Sequence, residues 1–243
     1  MPKRILDIVL ASLGLLLTAP ILLAASIAIY LQDFCSPFYI APRVGKGGRE
    51  FNMLKLRSMV IGADKLGGAS TAATDARLTA IGRAVRRFKL DELPQLWNVM
   101  KGEMSLVGPR PNVRSEVALY TSEERRLLSL RPGITDIASI VFSDEGEILG
   151  RTEDPDLAYH QLIRPWKSRL GLLYVDQHCF PLDLALIALT ALAIISRPRA
   201  LAALAALLAS INCDRRLRLL SLRQSPLFPY PPPGAQEIVS SWQ

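Results

Sequence analysis

The sequence predicts an α+β, helix-rich protein: a central domain carrying a small β-hairpin, preceded by one long apolar helix and followed by interfacial amphipathic helices. Three observations predict it. From Ile5 to Leu31 the chain is apolar except for a few small polar residues and one acid, Asp7. Two short β-prone stretches flank Gly45, Gly47 and Gly48. Beyond residue 78 the apolar residues recur at helical spacing. These divide the chain into residues 1–33, 34–180, 181–223 and a proline-rich tail, 224–243.

The 243 residues suffice for one domain of ordinary size with added membrane elements. The formal charge of +7 suits an anionic partner, whether nucleic acid, membrane or phosphorylated substrate. Cys35, Cys179 and Cys213 are odd in number and widely spaced, which suggests reduced thiols rather than disulfides or a zinc site.

As a helix, the run from Ile5 to Leu31 exceeds the roughly 30 Å apolar core of a bilayer. Lys3 and Arg4 precede it, so the positive-inside tendency puts the N-terminus in the cytoplasm. Pro20, near the middle, removes a backbone donor and crowds the preceding turn. Three readings follow: a kinked spanning helix, a cleaved signal peptide, or a re-entrant helix broken at Pro20 whose two ends face the same side.

Phe38 to Ala41 and Phe51 to Ser58 read as the strands of the hairpin, with Lys55 and Arg57 on one face by the two-residue period. Two adjacent cations suit a diphosphate. Leu78 to Phe88 reads as a basic amphipathic helix carrying Arg83, Arg86 and Arg87. Asp91 then reads as the N-cap of a helix running to Met100, with Glu92 in the first turn and Gly102 just past its end. Helix capping alone would explain Asp91. A helix N-terminus also favours phosphate, however, and bringing a carboxylate to a phosphate calls for added positive charge, for which magnesium is the natural ion. Arg110, between Pro109 and Pro111, offers a planar phosphate clamp.

Leu182 to Ile195 and Leu201 to Ile211 are too short to span a membrane comfortably and are followed by Arg215, Arg216, Arg218 and Arg223. Helices at an anionic membrane surface and buried core helices are both compatible with that pattern. Pro226, Pro229 and Pro231 to Pro233 predict a mobile or extended arm.

In order along the chain, Lys3-Arg4 with Asp7 and Pro20, PRVGKGGREFNMLKLRSM, DARLTAIGRAVRRFKLDELPQLWNVMKGEMSLVGPRP, RPGIT and SRLGLLYVDQHCFPLDLALIALT resemble the bacterial sugar transferases. These are monotopic phosphoglycosyl transferases, and the likeness is to their minimal form. The resemblance implies a re-entrant N-terminal membrane helix and a cytoplasmic catalytic domain at the bacterial inner membrane. It implies a UDP-sugar donor, a polyprenol phosphate acceptor, magnesium and a phospholipid membrane, with no nucleic acid. The catalytic dyad would fall on Asp91 and Glu92, which are also the metal ligands, with Asp91 forming a phosphoglycosyl aspartate and releasing UMP. Lys55, Arg57, Arg86 and Arg110 would then bind substrate phosphate. A homodimer is compatible with the exposed apolar helices.

After RPGIT the chain departs from the usual family pattern, with Asp136 in place of a glycine. The following acids, Asp144, Glu145 and Glu147, read as a solvated loop or as contacts to the donor sugar. His160 and His178 lie outside the motifs and read as structural. Two other functions fit part of the sequence: a non-catalytic membrane protein that binds anions, and a metal-dependent transferase without a covalent intermediate.

Overall fold

The computed structural model describes residues 2–66 and 75–241. Helix α1 (Pro2–Asp33) is helical throughout, Pro20 included. The expected break is therefore absent as an interruption. Proline deletes one hydrogen bond without ending a helix, and in the preceding turn Thr18 Oγ1 donates to the Gly14 carbonyl at 2.7 Å.

Both ends of α1 nevertheless pack against the same domain. Near its start, Lys3 pairs with Asp183 at 2.6 Å, Arg4 reaches the carbonyls of Val99 and Met100, and buried Asp7 accepts from Ser105 Oγ and from the Leu106 N–H. At its far end Ile29 packs with Leu56 and Val85, and Asp33 pairs with Arg57. Ile5, Leu13, Leu16, Leu17, Leu23 and Ile27, on its other faces, are exposed.

The hairpin pairs β1 (Phe38–Val44) with β2 (Glu50–Leu56) in antiparallel register, Tyr39 opposite Lys55. Its turn needs glycine, because Gly47 and Gly48 hold φ of 67° and 78°. Helix α2 (Ala80–Arg87) starts at Thr79, whose hydroxyl accepts from the Gly82 N–H at 2.9 Å. A Cβ on Gly82 would lie 1.8 Å from the Ser58 carbonyl oxygen, so the missing side chain lets α2 lie against the segment leaving β2. Helix α3 (Gln95–Lys101) is fixed to the hairpin by buried Asn98, which accepts from Leu54 N–H and donates to the Asn52 carbonyl.

Two three-residue strands, β3 (Ser105–Val107) and β4 (Gly133–Thr135), pair in parallel. They seat the GPRP turn on the RPGIT segment. A Cβ on Gly133 would sit 2.1 Å from the Gly108 nitrogen, so both glycines are required for the approach. These strands are too short to carry a readable alternation in sequence.

Helices α4 (Arg114–Ala118), α5 (Ile137–Val141), α6 (Glu145–Leu149) and α7 (Pro155–Ala158) are short. They lead through a π-turn to α8 (Arg164–Gln177), α9 (Phe180–Ile195), α10 (Arg197–Ser210) and α11 (Arg215–Ser221). The main core unites α5, α8, α9 and α10 around Trp166, Tyr174, Leu186 and Leu204. Helices α9 and α10 thus bury one face each, although Ile194 and Ile195 at the end of α9 stand exposed. The described tail is extended and attached. Tyr230 stacks on Trp166 with ring centroids 4.6 Å apart, and the Pro231 carbonyl accepts from Arg169. Thr121 and Gln161 bind the carbonyls of Pro233 and Val239.

Candidate active site

The polypeptide leaves α2 through Lys89, held at φ 56°, and makes a single 3-10 turn over Leu90–Glu92 before α3 begins at Gln95. Asp91 is consequently not the helix cap that its sequence suggests. The turn rotates its side chain inward, where it is 6% exposed and its Oδ1 accepts no hydrogen bond. At the other end of α3, Gly102 adopts the expected left-handed conformation, φ 85°.

Burial raises the Asp91 pKa above the ordinary carboxylate value, as does the negative charge of Glu92; Lys55, Arg86 and Lys89 oppose them. Glu92 has the reverse balance. Burial pushes its pKa upward, but Arg110, then Lys55 and Lys89, outweigh burial and bring it to about 2. Arg110 grips both Glu92 oxygens, pairing with Oε1 and donating to Oε2 at 3.3 Å. That contact raises the Arg110 pKa further. Two neighbouring carboxylates thus diverge, one clamped and anionic, the other carrying an unpartnered oxygen among cations.

Lys55 faces this pair. Burial lowers its pKa to about 8 against the pull of Glu92. Arg86 donates to Ser58 Oγ at 3.0 Å and its charge reaches Asp91. Arg57, expected beside Lys55, lies just past the end of β2 and turns to Asp33, Ser36 and Cys35, joining the hairpin to α1. The structure therefore gathers Asp91, Glu92, Lys55, Arg86 and Arg110, and leaves Arg57 outside. It adds Lys89 and Arg43, the latter on β1 and close enough to Lys55 and Arg110 for its charge to act on both. Neither was expected as a phosphate ligand: the position of Lys89 next to the acids was a signal in the sequence, whereas Arg43 depended on the hairpin register.

Beyond Arg110 lies a cavity lined by Asn112, Tyr120, Asp136, Tyr159 and Lys167. Asp136 caps α5 by accepting from Ser139 N–H at 2.6 Å. The acids of the following segment form no free loop: they lie at or within α6, where Glu145 pairs with Lys167 and Asp144 with Arg197 and Arg223. His160 is buried against Glu116 at 3.4 Å, in keeping with a structural role.

Among the described residues no group of three or more His, Cys, Asp or Glu side chains converges as a metal cage. Magnesium does not require one. It binds through one or two carboxylates together with substrate phosphates, and the unpartnered Asp91 oxygen fits that arrangement.

The sequence pattern of the family described as bacterial sugar transferase matches residues 1–197. A putative undecaprenyl-phosphate N-acetylgalactosaminyl 1-phosphate transferase of Bacillus subtilis is 42% identical over 146 residues, covering 56% of this chain and 82% of the relative. A UDP-glucose:undecaprenyl-phosphate glucose-1-phosphate transferase of Caulobacter vibrioides is 41% identical over 173 residues, 68% of this chain and 65% of the relative. A UDP-N-acetylgalactosamine-undecaprenyl-phosphate N-acetylgalactosaminephosphotransferase of Aeromonas hydrophila is 37% identical over 142 residues, and the match spans only 34% of its length.

Proposed function

Because the chain belongs to the bacterial sugar transferase family, we propose that it moves a sugar 1-phosphate from a UDP-sugar to undecaprenyl phosphate through a covalent intermediate on Asp91. The observation that carries this reading is the buried Asp91 oxygen, unpartnered and faced by Lys55, Arg86 and Lys89. An Asp91 oxygen attacks the β-phosphorus of the donor; the bond from that phosphorus to the bridging oxygen breaks, and UMP leaves with the oxygen and its electron pair. A phosphate oxygen of the acceptor then attacks the same phosphorus and expels the Asp91 carboxylate. The products are UMP and the polyprenyl diphosphosugar.

Lys55, Arg86, Lys89 and Arg43 neutralise the diphosphate as charge spreads over its oxygens. Glu92, held anionic by Arg110, is too weak a base to take a proton near neutral pH. No base is needed there, since a phosphomonoester is already ionised. Glu92 instead fixes Arg110 and, with Asp91, would hold a magnesium ion, which would supply charge neutralisation to the phosphates. The packing of both ends of α1 on one domain, with its outer faces apolar, supports monotopic attachment; the cytoplasmic side is the reading that gives the site its donor, because nucleotide sugars are made there.

Intact-protein mass spectrometry tests the covalent step. Purified protein with magnesium and a panel of UDP-sugars, without polyprenol phosphate, is expected to gain the mass of one phosphosugar. Turnover of a donor with no such gain would favour direct transfer.

Lys55 adds a pH signature. As pH rises through about 8, the lysine loses its proton in the free protein, so kcat/KM for the donor should fall on the alkaline side. Arginine stays charged throughout. Steady-state rates from pH 7 to 9.5 for Lys55→Arg should show that limb shifted or gone; an unchanged limb would remove Lys55 from donor binding.

A further inference from the structure

Asn98 and Gln95 are buried amides three residues apart in α3, and the fold treats them oppositely. Asn98 has its oxygen filled by Leu54 N–H and its nitrogen shared between the Asn52 carbonyl and Glu103. Gln95 is 1% exposed, and neither its Oε1 nor its Nε2 has a hydrogen-bond partner. An orphaned buried amide destabilises a fold, and a leucine or methionine of similar size would not. Gln95 therefore stands at a cost to the stability of the fold.

Its place suggests why. Leu93 and Pro94 are both in the helical region, so Asp91 and Gln95 stand four residues apart on one short helical stretch, and both are buried. Asp91 Oδ1 is the other unpartnered buried polar atom of this segment. A group arriving on Asp91 with oxygens that accept hydrogen bonds would meet an amide donor already desolvated and without a competing partner.

We propose that Gln95 is a substrate-contacting residue: its side-chain NH2 donates to a non-bridging oxygen of the phosphoryl group while that group is attached to Asp91. The inference rests on the covalent reading above. The negative charge of those oxygens grows during attack, and a preorganised donor aimed at them acts on the chemical step more than on donor binding. The same amide lies idle in the free protein.

Gln95→Met keeps length and volume but removes the donor. With the panel of UDP-sugars and magnesium, rapid-quench mass spectrometry should show adduct formation slowed about 10²-fold relative to wild type, with the loss in kcat rather than in KM. In the same preparation, without donor, the Tm should equal or exceed that of wild type, because an unpaired polar group has gone. Asn98→Leu, which strips a satisfied amide from the same helix, should lower the Tm. Adduct formation by Gln95→Met at the wild-type rate would overturn the assignment, as would a Tm well below wild type, the sign of an amide already bonded in the free protein. Absence of an adduct on wild type would overturn the covalent reading itself, and with it this role.

Discussion

Asp91→Asn is expected to lower kcat by at least about 10³-fold, the scale of losing a nucleophile for which no neighbouring group substitutes. Asparagine preserves the shape of the side chain but lacks the anionic oxygen that the proposed attack on phosphorus requires. The alternative explanation of such a loss is unfolding, and the electrostatics separate the two. The Asp91 pKa is raised on folding, by burial first and by Glu92 second. A carboxylate with a raised pKa opposes folding once pH exceeds its unfolded value, and that opposition is absent at lower pH, where the group is protonated in both states. A neutral residue removes the opposition at neutral pH. Asp91→Asn should therefore melt no lower than wild type at pH 7, remain bound to membranes and take up no phosphosugar. Release of UMP at more than a tenth of the wild-type rate would end the assignment of Asp91 as nucleophile. The same raised pKa predicts an acid limb in the rate profile lying above the ordinary aspartate range, since attack needs the ionised form.

The largest stability effect is expected at Arg164. Glu124 is fully buried and accepts from Arg164 Nη2 at 2.7 Å, from Ser168 Oγ at 2.7 Å and from the Thr121 N–H at 3.0 Å. Arg164, itself buried, also donates to the Leu119 carbonyl. Arg164→Ala leaves a carboxylate in the interior without its counter-charge, a change that costs about 3–5 kcal/mol. At about 2–4 °C per kcal/mol for a protein of this size, the Tm should fall on the order of 10 °C. Differential scanning fluorimetry reads that directly. Arg164→Met combined with Glu124→Leu, which removes both charges and keeps apolar volume, should recover much of the loss. Equal destabilisation by the single and double variants would mean that packing, not charge burial, dominates there. Arg164 also lines the cavity beyond Arg110, so the single variant should lower activity through the fold.

Several features were legible from residue order because they depend on local chemistry. The apolar run announces α1, the glycines at 47 and 48 announce the hairpin turn, and Gly102 announces the end of α3. Other readings failed where two local rules competed. An aspartate before a helix reads as a cap, yet the left-handed Lys89 and the 3-10 turn carry Asp91 inward instead. A proline in a long apolar run reads as a break, yet α1 continues through it. A proline-rich end reads as mobile or extended, and the extended form is fixed by Tyr230 stacking on Trp166.

Sequence by itself determined the family, the long apolar helix, the hairpin and the adjacency of the two acids, because these reside in motif spacing, periodicity and turn residues. Only the tertiary structure decided which cations serve those acids. Lys55 and Arg57 share a strand face on paper, but α1 presents Asp33 to Arg57 and leaves Lys55 facing Glu92, while the β3–β4 pair carries Arg110 onto the same carboxylate. Charge pairing acts through space and weakens with distance and solvent, so partners remote in sequence remain undefined until packing places and buries them.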